Sequence, residues 1–462
     1  MSRTASFTVE IVSSDLPDWI PPPGYVANIA LNTMNEAWAS TSHDGAYGIV
    51  SLGTTWQLAW NVWNSGTYGK DASQYGISMF RGGGHSLHQS SGNTAIHGFD
   101  YTDRLYKCVN PQSHPASLPT IANNLFYGGA GPPTLGVDVV MDYEYTDWAN
   151  YPPGENTPQV VHSVATLAYL SAAWAGNNKG YFLSSYSGRK TDGPWFVKNG
   201  DTLTQTRWGY IVHRCDLDTG KFDRFPGGHY VQTDPNIVSI GTDAEAMPLS
   251  VDEEHGYLYK EMASADSSFP SYRKLKRLNL ADTGAGWVSL PVEWSWHYGW
   301  DEPGGYRSAQ YITGKNLICG CYHRQTASGT VSLYLIDLAS SGFPYYWRNF
   351  TVPGGIRGHS WTQAAYVPRT GKFYIPALGD ATAANRVKMI VLTPPSSGDW
   401  FDTASWTIDV ETYTKDAALG ATEPFQISSG VETVSGMIHY ASKIDCVVWP
   451  NGLQTYAWRP PI

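Results

Sequence analysis

The chain has 462 residues and a formal net charge of −10, with only 15% charged residues against 14% aromatics, among them 19 Trp and 30 Tyr. Many aromatics with few charges exclude a disordered chain and a long helical or coiled-coil protein. A charge-poor, net-negative chain is a poor match to phosphates, so no nucleic acid is expected as a partner; this composition suits β-sheets and uncharged or sugar-like ligands.

From the N-terminus, residues 1–54 read as an arm. It opens Met1-Ser2-Arg3-Thr4-Ala5-Ser6-Phe7 without the apolar run of a signal peptide, and no stretch of the chain reaches 18 apolar residues. The expectation is synthesis in the cytoplasm and no membrane insertion. The five cysteines, Cys108, Cys215, Cys319, Cys321 and Cys446, are odd in number and scattered, which implies no disulfide framework.

Residues 55–462 carry a repeat with unequal loops. An apolar strand ends in Asp or Asn, turns, and gives way to an aromatic strand. The copies are Gly98-Phe99-Asp100 before Tyr106, Arg214-Cys215-Asp216 before Phe222, Leu278-Asn279 before Trp287, Leu335-Ile336-Asp337 before Trp347, and a looser Ile390-Val391-Leu392-Thr393 before Trp406. An Asp or Asn there can cap the turn through its own side chain. Ahead of the units lie strand pairs with hairpin turns, such as 246–251 with 257–262, 308–313 with 317–322, and 362–367 with 373–377. Four strands per unit at this period predict an all-β fold, a single β-propeller. Six blades are counted, at 55–110, 158–228, 240–292, 305–352, 360–412 and 428–462, with 111–157 as a long loop. A seventh blade requires that loop to hide one. The last blade shows only three strands, so an N-terminal strand, 7–12 or 26–31, is expected to close the ring.

The first unit reads Phe80-Arg81-Gly82-Gly83-Gly84-His85-Ser86, then Gly92-Asn93-Thr94-Ala95-Ile96-His97-Gly98-Phe99-Asp100. It resembles the kelch or galactose-oxidase-type propeller repeat, in the form encoded by bacteriophages and prophages, and is also similar to propeller-type polysaccharide lyases. The opening Leu16-Pro17-Asp18-Trp19-Ile20-Pro21-Pro22-Pro23-Gly24 has the same look. The resemblance implies a virion protein, tail-associated, that contacts host surface glycans, with surface polysaccharide and other virion proteins as partners. No Tyr and Cys match the galactose oxidase copper site, and Ser42-His43-Asp44-Gly45 begins like a sialidase-type box but lacks its Trp.

Histidines recur where a propeller's ligand face is built: His85 and His88, His162, His229, His297 and His359. One reading is a lyase or depolymerase for acidic glycans. His85 or Tyr298 would then act as base or acid, Arg357 as the carboxylate clamp, and His359 as assistant. A second is binding alone, with Trp296 and Trp300 beside His297. Asp142, Tyr143, Tyr145 and Trp148 would add carboxylates for sugar hydroxyls and rings for stacking. A third is a purely structural virion component. A divalent metal is not required, but two places suit one: Cys319, Cys321 and His323, on one face of a strand, for zinc, and the acidic 138–148 loop for calcium.

Overall fold

The structure, a computed structural model, describes residues 16–39, 64–82, 96–110, 167–185, 195–199, 202–206, 208–209, 212–219, 221–224, 230–231, 249–264, 272–295, 309–323, 329–358, 362–380, 382–415, 438–450 and 454–461.

Among these residues six sheets of four or five strands follow in succession, and two smaller pairings, Trp195–Asn199 with Thr202–Thr206 and Trp208–Gly209 with Tyr230–Val231, stand beside them. Blade 1 is Asn64–Gly69, Ile77–Gly82, Ile96–Asp100 and Leu105–Asn110; blade 2 is Leu167–Leu170, Tyr181–Ser185, Val212–Asp216 and Lys221–Arg224. Blade 3 is Leu249–Asp252, Tyr257–Ser264, Tyr272–Asn279 and Val288–Ser295; blade 4 is Gln310–Ile312, Leu317–His323, Thr330–Asp337 and Tyr345–Thr351. Blade 5 is Ala365–Val367, Lys372–Pro376, Lys388–Thr393 and Thr407–Thr412. Blade 6 takes His439–Ala441, Cys446–Pro450 and Thr455–Trp458 from the C-terminal end and Tyr25–Asn28 from the N-terminal end. Its closing strand is the later of the two expected segments, paired antiparallel as Val26↔Trp458, Ala27↔Ala457 and Asn28↔Tyr456. A short strand, Thr414–Lys415, then pairs in parallel with Tyr25 and Val26, giving this sheet a fifth strand that the sequence does not announce.

The fold is a six-bladed β-propeller, and its ring has no room for a seventh blade between the first two. Gly69 packs so closely on Tyr169 that an added Cβ would stand 3.2 Å from the ring. Elsewhere apolar layers fill the gaps between blades. Leu258 and Leu278 meet Leu183 between blades 2 and 3, and Cys319, Leu333 and Leu335 meet Phe373 and Ile375 between blades 4 and 5. Val447 and Trp458 meet Tyr374 and Met389 between blades 5 and 6.

The repeated Asp and Asn do what the sequence predicts. The side-chain oxygen accepts from the backbone N–H two residues on: Thr102 N to Asp100 at 2.9 Å, Asp218 N to Asp216 at 2.9 Å, Ala281 N to Asn279 at 2.9 Å and Ala339 N to Asp337 at 2.8 Å. The aromatics that follow diverge. Tyr106 and Trp406 are buried, but Trp347 is 52% exposed. Alternation along Tyr345–Thr351 turns Phe350 into the layer against blade 5 instead.

These turns, together with those joining inner to second strands, lie at one end of the ring, the turn end. There, polar side chains tie blade to blade. Asp71 accepts from Tyr169 OH at 3.1 Å and Ala172 N at 3.0 Å, and Glu253 accepts from Ser171 N at 2.6 Å. Glu254 accepts from Tyr311 OH at 2.7 Å and Gly314 N at 2.9 Å. Asp445, 5% exposed, binds Arg369 of blade 5 at 3.1 Å and Arg459 at 3.2 Å, and accepts from Tyr440 OH at 2.8 Å. Blades 4 and 5 are tied through backbone, His323 N to Thr362 O at 3.0 Å and Ala364 N to Cys321 O at 2.7 Å.

The N-terminal segment goes on to brace the seam between blades 6 and 1. Asn32 donates to Tyr106 O at 3.1 Å and accepts from Tyr106 N at 2.6 Å. Helix Met34–Ala39 starts from a capping box in which Glu36 accepts from Thr33 N at 2.6 Å and Thr33 Oγ1 accepts from Glu36 N at 3.3 Å.

Two outcomes follow for stability. Deleting residues 1–28 strips the closing strand with its buried Val26 and Ala27, and should cost at least about 3 kcal/mol and promote self-association, read by thermal unfolding and gel filtration. Asp445→Asn keeps a residue suited to φ 52° but removes the charge between two arginines. It should cost about 2–3 kcal/mol in denaturant unfolding, less than a fully buried pair because both guanidiniums reach water.

Candidate functional site

The inner strands are only three to six residues long, and they surround the ring axis. Their penultimate position is a second repeat: Tyr68, Tyr169, Tyr311, Tyr366 and Tyr440 in five blades, with Val251 in blade 3. Tyr169, Tyr311 and Tyr440 spend their hydroxyls on the acids of the turn end, while Tyr68 OH donates to Tyr75 O at 2.7 Å. Burial pushes all five phenols above their ordinary range, so they stay protonated and serve as donors.

On the axis the inner strands enclose a cavity of about 230 Å³ that receives side chains from all six blades, including Thr67, Ala168, Ser250, Gln310, Gln363 and His439. His439 shares a hydrogen bond through Nε2 with Ser78 Oγ, which in turn meets Tyr101 OH at 2.5 Å. Its ring stacks on Tyr68, at 6.0 Å between centroids. Desolvation lowers its pKa to about 3, so the imidazole is neutral. This network links blades 6 and 1 beside the cavity.

The opposite end, the loop end, carries the remaining connections, where the sequence expects the ligand. His85, His88, His162, His229, Trp296, His297, Tyr298, Trp300 and His359 lie outside the described residues, as do Asp142, Tyr143, Tyr145 and Trp148. Arg357 is described. It is exposed in the connection from blade 4 to blade 5, between the buried Ile356 and Gly358. Its backbone N–H donates to Asp380 Oδ2 at 3.2 Å, and Asp380 is itself held by Thr382 N at 2.9 Å and Asn385 Nδ2 at 3.1 Å. A Cβ on Gly358 would stand 2.9 Å from Ile375 and 3.1 Å from His323, so glycine is needed for this close pass. Arg357 is therefore a cation presented from a fixed piece of backbone.

Cys319, Cys321 and His323 share one face of a fully buried strand, as alternation predicts. The structure accounts for both thiols as packing against Leu333, Leu335 and Ile375. Burial pushes each well up, which opposes the thiolate that zinc requires. Between them Gly320 leaves space for the Tyr334 ring, which an added Cβ would overlap.

Among the described residues, the three groups that do bring ligand atoms within 4.8 Å of one another are Asp252, Glu254 and His255. The sequence reading treats them only as a hairpin turn. Asp252 is fully buried; it accepts from His255 N at 2.9 Å and meets His255 Nδ1 at 3.0 Å. Burial raises its pKa, whereas the Gly314 N–H, despite partial desolvation, holds that of Glu254 below the ordinary range. These bonds make the group part of the tie between blades 3 and 4.

Two buried lysines lie on the second and third strands of blade 3. Lys260 and Lys276 are cross-strand partners, 1% and 8% exposed. Burial, reinforced by Lys276, lowers the Lys260 pKa from 10.5 to about 7. Between these values the unfolded chain binds a proton that the folded chain does not, so stability rises with pH across the window. Lys260→Met should flatten that rise and make the protein more stable than the parent at pH 7, the gap closing towards pH 10.5, as read by urea unfolding at both ends.

No protein-family model matches the chain, and no curated protein matches it. Among solved structures, a glucose dehydrogenase is 14% identical, with 67% of this chain and 87% of that one covered at a TM-score of 0.31. A GH43 beta-xylosidase/alpha-arabinofuranosidase from a compost microbial metagenome, solved with xylotriose in a calcium-free form, is 9% identical over 82% of this chain and 96% of that one, at a TM-score of 0.30. At these values neither likeness carries an argument, and the fold stands on the chain's own six sheets.

Proposed function

We propose that the protein is a glycan-contacting propeller of the kind carried on bacteriophage virions or tails, which holds host surface polysaccharide at its loop end without cleaving it and is mounted by other virion proteins. The observation that supports this reading is the unequal use of the two ends. The turn end is closed by short turns whose carboxylates are committed to neighbouring blades. The loop end receives the longer connections, such as 111–166 and 225–248, and these include Tyr143, Tyr145, Trp148, His162 and His229, residue types that suit sugar rings and hydroxyls. A net charge of −10 fits a hydroxyl-rich ligand better than a polyphosphate.

Arg357 favours a second reading, a lyase for acidic glycans. An exposed guanidinium on anchored backbone is suited to hold a uronate carboxylate while a base removes the neighbouring proton.

Incubation of the purified chain with neutral and acidic polysaccharides separates the two. Under the binding reading, saturable association appears by titration calorimetry and no unsaturated product accumulates in the ultraviolet. Arg357→Ala should weaken an acidic glycan roughly tenfold and leave a neutral one unchanged. Steady formation of unsaturated product, abolished by Arg357→Ala, replaces binding with the lyase.

A further inference from the structure

The axial cavity differs chemically from both ends of the ring. Among the described residues, the fourteen that line it include no Asp, Glu, Lys or Arg. Ser250, 3% exposed, has no side-chain hydrogen-bond partner among the described residues, and the same holds for the side chains of Thr67 and Gln363. Gln310 donates through Nε2 to Ala364 O at 3.1 Å and keeps its amide oxygen uncommitted among those residues. Four blades thus turn unspent neutral donors and acceptors towards one space, and Tyr68, Tyr169 and Tyr311 add ring surface beside them.

This lining selects among ligand classes. An ion would lose its hydration with no opposite charge among these described residues to meet. An apolar molecule would strand the hydroxyls and amides. A neutral, hydroxyl-rich molecule satisfies both conditions, with hydroxyls on the polar groups and C–H faces on the tyrosine rings. Size narrows it further: about 230 Å³ lies below the range of roughly 300–1,000 Å³ that takes drug-sized ligands, and equals the liquid volume of about eight waters. One sugar ring or small polyol fills that space, and a longer glycan would place only its terminal ring there.

We infer that the axial cavity is a binding site for a single neutral monosaccharide unit, held by Thr67, Ser250, Gln310 and Gln363. It rests on the glycan reading, whose terminal residue it would seat, and it names a ligand and a place that the loop-end proposal does not contain.

The test titrates the full chain with neutral hexoses, their uronic acids and a neutral oligosaccharide, using saturation-transfer NMR and calorimetry. Ser250→Ala removes one hydroxyl at little packing cost, and Gln363→Met replaces an amide by a chain of similar volume. The expected result is saturable binding of a neutral hexose, weaker for its uronic acid, and reduced roughly two- to tenfold by each variant, with unfolding midpoints confirming that both are folded. Oligosaccharide binding that both variants leave unchanged, with no binding of any monosaccharide, overturns the axial site and leaves the glycan reading standing. Equal hexose affinity in parent and variants, or preference for the uronic acid, also overturns the site. Failure of every sugar overturns both.

Discussion

Everything in this molecule depends on the hydrogen bonds between Tyr25–Asn28 and Thr455–Trp458. A propeller blade buries both of its faces only against two neighbours, so an incomplete ring leaves two sheets half exposed. Here the sixth blade has three strands until the N-terminal segment joins it. The same segment carries on across the seam, where Ile29 N donates to Thr455 O at 2.8 Å and Leu31 N to Arg104 O at 3.0 Å. Closure is thus a strap several residues wide that binds blade 6 to itself and then to blade 1.

Once closed, the ring divides its chemistry by position. Charge is concentrated at the turn end, where acids accept from backbone N–H groups, phenols and arginines of the adjoining blade. The gaps between blades are mostly apolar, with Lys260 and the His439–Ser78 bond as exceptions. The axis is neutral but polar, because inner-strand side chains there face a space rather than a partner. Among the described residues, the loop end also carries ties, such as His323 N to Thr362 O between blades 4 and 5. A cation such as Arg357 can stand exposed there because its backbone, not its side chain, is what Asp380 holds.

Much of this is written in local sequence offsets, and those parts were legible. An Asp at a strand end caps the turn two residues later whatever the rest of the chain does, so Asp100, Asp216, Asn279 and Asp337 behave as read. Strand pairs around Gly256, Gly314 and Gly371 are legible for the same reason. Relations between blades are not. The tyrosine repeat at 68, 169, 311, 366 and 440 is spaced unevenly and sits in strands too short to show alternation. Asp71, Glu253 and Glu254 look like ordinary turn residues until the neighbouring blade is in place. Trp347, the nearest aromatic after the turn, stays outside the layer because alternation decides which side chain enters it, and Phe350 has the correct parity. For the candidate site, the Cys319, Cys321 and His323 face was correctly placed, but only the packing around it shows why thiols belong there.

The strap also fixes an order of events. Val26 and Trp458 are paired in space, yet they stand 432 positions apart in the chain. At roughly 5–20 residues per second, the first strand waits about 20–90 seconds before its partner emerges. During that interval blades 1 to 5 can form from neighbouring segments, since each is continuous in sequence, while the N-terminal strand and the open flank of blade 1 stay unpaired. The longest-range contact in the fold is therefore also its last, and the nascent chain carries an adhesive edge for most of its synthesis.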